Sequence, residues 1–254
     1  MVQTDRKNAK RLLYGALILA FWIAVWQIAA MAIGREVILP EPIAVCRRFL
    51  SLAATAPFWR ATLFSLLRIM GGYAAGVAVG ALLGVAMHFF SPVRAVFSPF
   101  LTVVKSTPVA SFILIAYFII TDTVIPVFIT FLMVLPMIAA CVFTALSATD
   151  PALLEMTKVY RFSFGKKLRT LYIPTVLSPF LGQAITALGL GWKAGVAAEV
   201  LCTPRDSIGK YLYDAKVYLE TVDLFAYTLL VVIVSLALEK LLQALARRLK
   251  GGIA

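Results

Sequence analysis

Lys105, Lys193 and Glu199 are charged residues set inside long apolar stretches, and Arg68 lies near the end of another. Ionisable groups in hydrocarbon are costly, so their default reading is functional: a polar path, a proton relay or a paired charge. Lys193 and Glu199 share one stretch but stand six residues apart, about 120° around a helix, so they are not an i,i+4 pair. Each therefore needs a partner on another helix, in a water-filled cavity or at the outer interface. Lys105 stands just before Pro108, where freed backbone groups can line a pathway. Arg68 is expected to snorkel to the outer interface. Lys105, Lys193 and Glu199 are the candidates for a translocation path.

Catalytic chemistry has no comparable constellation. A phosphate-binding loop needs G-x-x-x-x-G-K-[ST]. Before Gly165-Lys166 the required first glycine is Tyr160, and before Gly209-Lys210 it is Pro204. H-E-x-x-H and G-x-S-x-G are absent. The chain is therefore expected to hydrolyse no ATP itself and to hold no catalytic residue, metal or cofactor. His88 is the only histidine and reads as an interfacial residue ending an apolar stretch. Cys46, Cys141 and Cys202 lie far apart, without metal spacing or a disulfide framework. Cys46 and Cys202 are expected on the outer face, either paired or as two unrelated thiols.

A second constellation is the basic segment Asp150 to Pro174, DPALLEMTKVYRFSFGKKLRTLYIP. Its Lys158, Arg161, Lys166, Lys167 and Arg169 keep it out of the bilayer core. Asp150 and Pro151 suit the N-cap and first position of a helix. A short helix offered to the cytosol between two spans is one way for a membrane-buried protein to receive energy.

The elements that position these residues are membrane helices. The 254 residues are 62% hydrophobic and 14% charged, with a mean hydropathy of +0.94, whereas soluble domains carry roughly 25% charged residues. The chain is an all-α polytopic membrane protein with about six spans, near 12–33, 64–88, 97–120, 124–146, 175–200 and 224–245. Lys105 and Pro108 mark the third for a kink or a re-entrant start, and Glu239 and Lys240 interrupt the sixth. The first apolar run is too long for a signal-peptide core of ~7–15 residues and reads as a retained span.

Lys and Arg counts set the orientation. With both termini inside, the cytosolic pieces hold 14 (among them Arg6, Lys7, Lys10, Arg11 and Lys250) and the outer pieces hold 7. That bias supports N-in, C-in and puts 150–174 in the cytosol. It also explains the net charge of +12 through the bilayer's anionic surface, with no nucleic-acid partner. In the second span Gly72, Gly76, Gly80 and Gly84 form a ladder that admits another helix backbone, within one subunit or between two. Pro42 to Ala56 and Ile208 to Leu219 read as amphipathic outer helices, for interfacial packing or for docking an external partner.

At Glu155 the segment resembles the cytosolic loop of bacterial ABC importer permeases, E-A-A-x3-G-x9-I-x-L-P. Glu155 stands at the E, and Leu171, Ile173 and Pro174 stand at I-x-L-P with the same spacing. Met156 and Thr157 replace the alanines and Arg161 replaces the glycine. ILPEP from Ile38, SLLRIMGGYAAGVAVGALLG from Ser65, KSTPVASF from Lys105 and GLGWKAGVAAEVL from Gly189 are similar to the nitrate/sulfonate/taurine-type permeases. The resemblance implies a single permease domain over 1–254 with a type I ABC importer-like fold in a bacterial cytoplasmic membrane. It implies a second permease subunit, expected to be another copy, a cytosolic ABC ATPase dimer that binds ATP and Mg, and an extracytoplasmic substrate-binding protein. Glu155, Met156, Thr157, Arg161, Ile173 and Pro174 would be the coupling residues. Subfamily members carry small oxyanions, sulfonates or heteroaromatic compounds. The charges within spans sum to +2 here and lean towards an anion. An ion-gradient-driven secondary transporter is the alternative, though no half-to-half repeat is visible and intramembrane acids are few. A purely structural membrane subunit is the third.

Overall fold

A computed structural model describes the backbone of residues 2–251 and the side chains of residues 14–248. The side chains of Arg6, Lys7, Lys10, Arg11 and Lys250 lie outside the described residues. Every element described is helical: α1 (Val2–Ile33), α2 (Pro42–Ala53), α3 (Ala56–Phe89), α4 (Ser91–Ser106), α5 (Val109–Tyr117), α6 (Ile125–Ser147), α7 (Pro151–Val159), α8 (Phe164–Lys167), α9 (Ile173–Cys202), α10 (Ile208–Val217) and α11 (Thr221–Gly251). Proline opens α2, α4, α6 and α7, where its missing N–H costs nothing. A π-helical turn, Leu168–Tyr172, joins α8 to α9. Pro174 would clash with the carbonyl four residues back, and the widened turn gives that carbonyl room.

Among the described residues five helices are long and apolar enough to cross a membrane, and α4 with α5, bent by 100° at their break, makes a broken span or a re-entrant loop. The kink or re-entrant start that Lys105 and Pro108 mark in the third span is this break. Pro108 forces Thr107 out of the helical region, to φ −84° and ψ 133°, and interrupts the run of backbone hydrogen bonds. The two outer segments are helical, as α2 and α10.

The chain packs as two units. One comprises the chain up to Trp59 together with Tyr211–Leu230. In it, Arg48 makes a two-pronged ion pair with Asp223, with Nε–Oδ1 at 2.6 Å and Nη2–Oδ2 at 2.7 Å. That hydrogen bonding raises the Arg48 pKa further above its usual range. The Trp26 indole donates to the Pro40 carbonyl at 3.1 Å, and Thr221 donates to Val37 at 2.6 Å. Phe58 is buried against the rings of Phe49 and Tyr227. Most of α1 from Tyr14 stays exposed and apolar, as a helix facing lipid should.

The other unit, Arg60–Lys210 with the chain from Val231 onward, holds the main core. Its centre is Tyr73, Val134, Ile138, Val142, Leu146, Ala184, Ala187 and Leu188. The Tyr73 hydroxyl donates to the Ala184 carbonyl at 3.0 Å and ties α3 to α9. All four ladder glycines face α6 of the same chain. A Cβ would meet the Val127 carbonyl at Gly72, Val134 Cβ at 2.9 Å at Gly76, the Leu135 carbonyl at 2.8 Å at Gly80 and the Ala139 carbonyl at 2.6 Å at Gly84. The ladder is filled by an intrachain helix.

Candidate translocation pathway and coupling segment

The second unit holds two neighbouring cavities. One, of about 660 Å³, is lined by Met137, Cys141 and Thr144 of α6, by Thr175, Pro179 and Gln183 of α9, and by Lys105. The other, of about 350 Å³, is lined by Met133, Pro136 and Met137 of α6, by Leu190 and Ala194 of α9, and by Val104, Lys105, Thr107 and Val109 around the α4–α5 break. In an N-in topology α6 descends to the cytosol and α9 rises from it. The first cavity touches α6 from 137 to 148 and α9 from 175 to 183, their cytosolic ends. The second touches α6 from 133 to 137 and α9 from 190 to 194, deeper in the membrane. The chambers are thus stacked end to end, and Lys105 and Met137 belong to both.

Of the three pathway candidates, only Lys105 lines these chambers. Lys193 lies on an exposed face of α9 and lines neither. Glu199 is fully buried elsewhere. Its carboxylate accepts from Ser65 Oγ at 2.6 Å, from Arg68 Nη1 at 3.3 Å and from the Gly209 N–H at 3.3 Å. Arg68 also donates to the carbonyls of Arg205 at 2.8 Å and Asp206 at 3.3 Å. The snorkelling expected of Arg68 is corrected: its side chain is 15% exposed and is the ionic partner of Glu199. A buried carboxylate needs such compensation to stay folded in place. Ser65 Oγ in turn accepts the Ile208 N–H at 2.9 Å, so this knot binds α3, α9 and the start of α10. Gly195 and Gly191 admit the close approach behind it, since a Cβ at Gly195 would meet Ile69 and Thr130 at 2.7 Å.

The basic segment 150–174 divides into α7 and the foot of the long helix. The Asp150 carboxylate accepts the Ala152 N–H at 2.8 Å, an N-cap as expected from the sequence. At the other end the Phe162 N–H reaches the Thr157 carbonyl at 2.9 Å and the Arg161 N–H reaches that of Lys158 at 3.0 Å. That pair of bonds is a Schellman motif, whose C′ residue must be left-handed. Arg161 is that residue, at φ 51°. The glycine of the loop pattern is thus a backbone requirement, which Arg161 meets under strain while its side chain stays exposed. Thr157 is buried and donates to the Leu154 carbonyl at 2.7 Å. Glu155, Met156, Ile173 and Pro174 are exposed. Beside them His88, Phe89, Phe164 and Tyr172 form an edge-to-face ring cluster bracing the foot of the long helix. Cys46, Cys141 and Cys202 are free thiols.

Residues 76–251 match the family described as binding-protein-dependent transport system inner membrane component. The chain belongs to that family. As an ABC importer permease subunit it is a multi-pass membrane protein and a transport component rather than an enzyme. The taurine transport system permease protein TauC of Escherichia coli K12 is 26% identical over 241 residues, covering 92% of this chain and 86% of its own. The putative aliphatic sulfonates transport permease protein SsuC of Bacillus subtilis 168 is 23% identical, again covering 92% and 86%. An amino acid ABC transporter solved with histidines matches the permease with a TM-score of 0.65 at 18% identity, over 79% of this chain and 98% of that one. A bacterial alginate ABC transporter in complex with an alginate pentasaccharide-bound periplasmic protein matches at 0.55 and 16%, over 96% and 97%. The permease therefore has the type I ABC importer permease fold.

Sequence reasoning missed the Ser65–Arg68–Glu199 knot and the polar lining at Thr144, Thr175 and Gln183. Gln183 carried a visible signal, an amide inside an apolar run. The knot did not, because Ser65 and Glu199 are 134 residues apart.

Proposed function

We infer that this permease forms half of the translocation pathway of an ATP-driven importer in a bacterial cytoplasmic membrane. A cytosolic ATPase dimer binds α7, a second copy of the permease completes the path, and an external binding protein delivers a small anionic or heteroaromatic solute. ATP and Mg act on the ATPase, and this chain needs no cofactor. The observation that carries the reading is α7, a short helix capped at both ends, with Glu155 and Met156 exposed on it and the long helix α9 rising from beyond it. A capped helix of this kind transmits force as a lever, so closure of the ATPases would rock the helices that line the stacked chambers.

Co-expression with the cognate ATPase tests this. Glu155→Arg should leave the yield and elution of the permease unchanged, weaken ATPase co-purification and abolish ATP-dependent uptake. Wild-type uptake in that variant would sink the coupling role. Uptake that collapses with the proton gradient while ATP persists would favour a gradient-driven carrier instead.

A further inference from the structure

We propose that Lys105 is the ionic contact for the transported solute, and that the solute is an organic anion whose compact apolar body occupies the deeper chamber. This rests on the pathway reading above. Lys105 is exposed and lines both chambers, so a solute held in either one has this side chain in its wall. No carboxylate lines either chamber, and the remaining polar lining is neutral, from Thr107, Thr144, Thr175 and Gln183. Glu199, a carboxylate of the same unit, is already engaged by Arg68, Ser65 and Gly209.

A lysine near a helix C-terminus can serve the helix itself, by offsetting its dipole or capping its carbonyls. Here the Val103 carbonyl takes the Thr107 N–H at 3.0 Å, the Thr107 hydroxyl at 2.8 Å and the Ser106 hydroxyl at 3.1 Å. That carbonyl is served by Lys105's neighbours, and no hydrogen bond or ion pair holds the ammonium among the described residues. A cation without a counter-charge in a transport chamber is best compensated by the cargo. The apolar half of the assignment comes from Val104, Met133, Met137 and Leu190, which surround the deeper chamber and give a bare hydrated ion nothing to bind. Methionine is a flexible, polarizable lining that accommodates varied apolar bodies.

The test uses the purified full-length permease in detergent, with thermal unfolding read by tryptophan fluorescence. The probes are benzoate, its neutral isostere benzamide, and nitrate. A bound solute raises the unfolding midpoint through linkage. Benzoate should raise the wild-type midpoint, while benzamide and nitrate at the same concentration should not. Lys105→Met should weaken the benzoate response by more than about tenfold in apparent affinity, as expected for a lost charge-assisted contact. Lys105→Arg should retain it. Equal shifts from benzamide or nitrate, no shift from benzoate, or an unchanged response in Lys105→Met would overturn the assignment. The wild-type comparison requires no variant to fold. The assay also requires no ATPase, so its failure is separable from failure of the Glu155 coupling test.

Discussion

Arg161 carries the plainest lesson at the scale of single residues. The pattern glycine at this position invites an explanation through a partner surface, as though an ATPase groove had to accept a larger side chain. The backbone gives a simpler one: the C′ residue of a Schellman motif is left-handed, and glycine adopts that conformation without steric cost. Arg161→Gly should therefore stabilise the end of α7 by about 1 kcal/mol. Slower amide exchange at 160–162, with ATPase co-purification at least as strong as in the wild type, would bear this out. Weakened co-purification would mean that the guanidinium itself contacts the partner. Glu199 shows the opposite case, in which a residue that stands out as transport chemistry is spent on architecture. With Ser65, Arg68 and the Gly209 N–H around it, the carboxylate is held by three donors and lines neither chamber.

At the scale of elements, the α3 glycine ladder and the α4–α5 break do different work. The ladder brings α3 against α6 so closely that ladder positions cannot carry a large side chain. Gly80→Leu would push into the Leu135 carbonyl and Ile138, overpacking that ordinarily costs about 1–3 kcal/mol and more where backbone must move. The same substitution at Gly71, whose Cβ would meet nothing within 4 Å, should be tolerated. Thermal stability and monodisperse yield in detergent compare the two. Equal losses, or a Gly80→Leu protein altered only in oligomer size, would argue that the ladder serves a subunit interface. The break places Lys105 and Thr107 on a cavity wall, because Pro108 stops one helix and starts the next at 100° to it.

For the whole molecule, the orientation makes the labelling of its cysteines predictable. With the N-terminus inside, exposed Cys46 of α2 faces outward, whereas Cys202 is buried and Cys141 lies within α6. A membrane-impermeant maleimide added to intact spheroplasts should therefore label Cys46, and Cys46→Ser should abolish the signal. Labelling that appears only after the membrane is opened would invert the topology, and with it the cytosolic place of α7. The orientation matters to function because the stacked chambers run from the cytosolic ends of α6 and α9 towards their middles only in this sense.

The sequence by itself determined the membrane class, the all-helical fold, the bias of positive charge and the Asp150 cap that starts α7. These follow from local properties: transfer free energy summed over about 20 residues, charge that the bilayer rejects, and capping residues within one helical turn of their targets. Even the break in the third span was marked locally, by Pro108. Only the tertiary structure decided what was non-local. It paired Arg68 with Glu199 across 131 residues of chain, filled the glycine ladder with α6, and left Lys193 on an exposed face. It also set Lys105 apart from the other two intramembrane charges by placing it in the lining of both cavities. A charge in an apolar run shows that a partner is needed. Which partner it finds depends on the helices that pack beside it, and no periodicity within one helix encodes that.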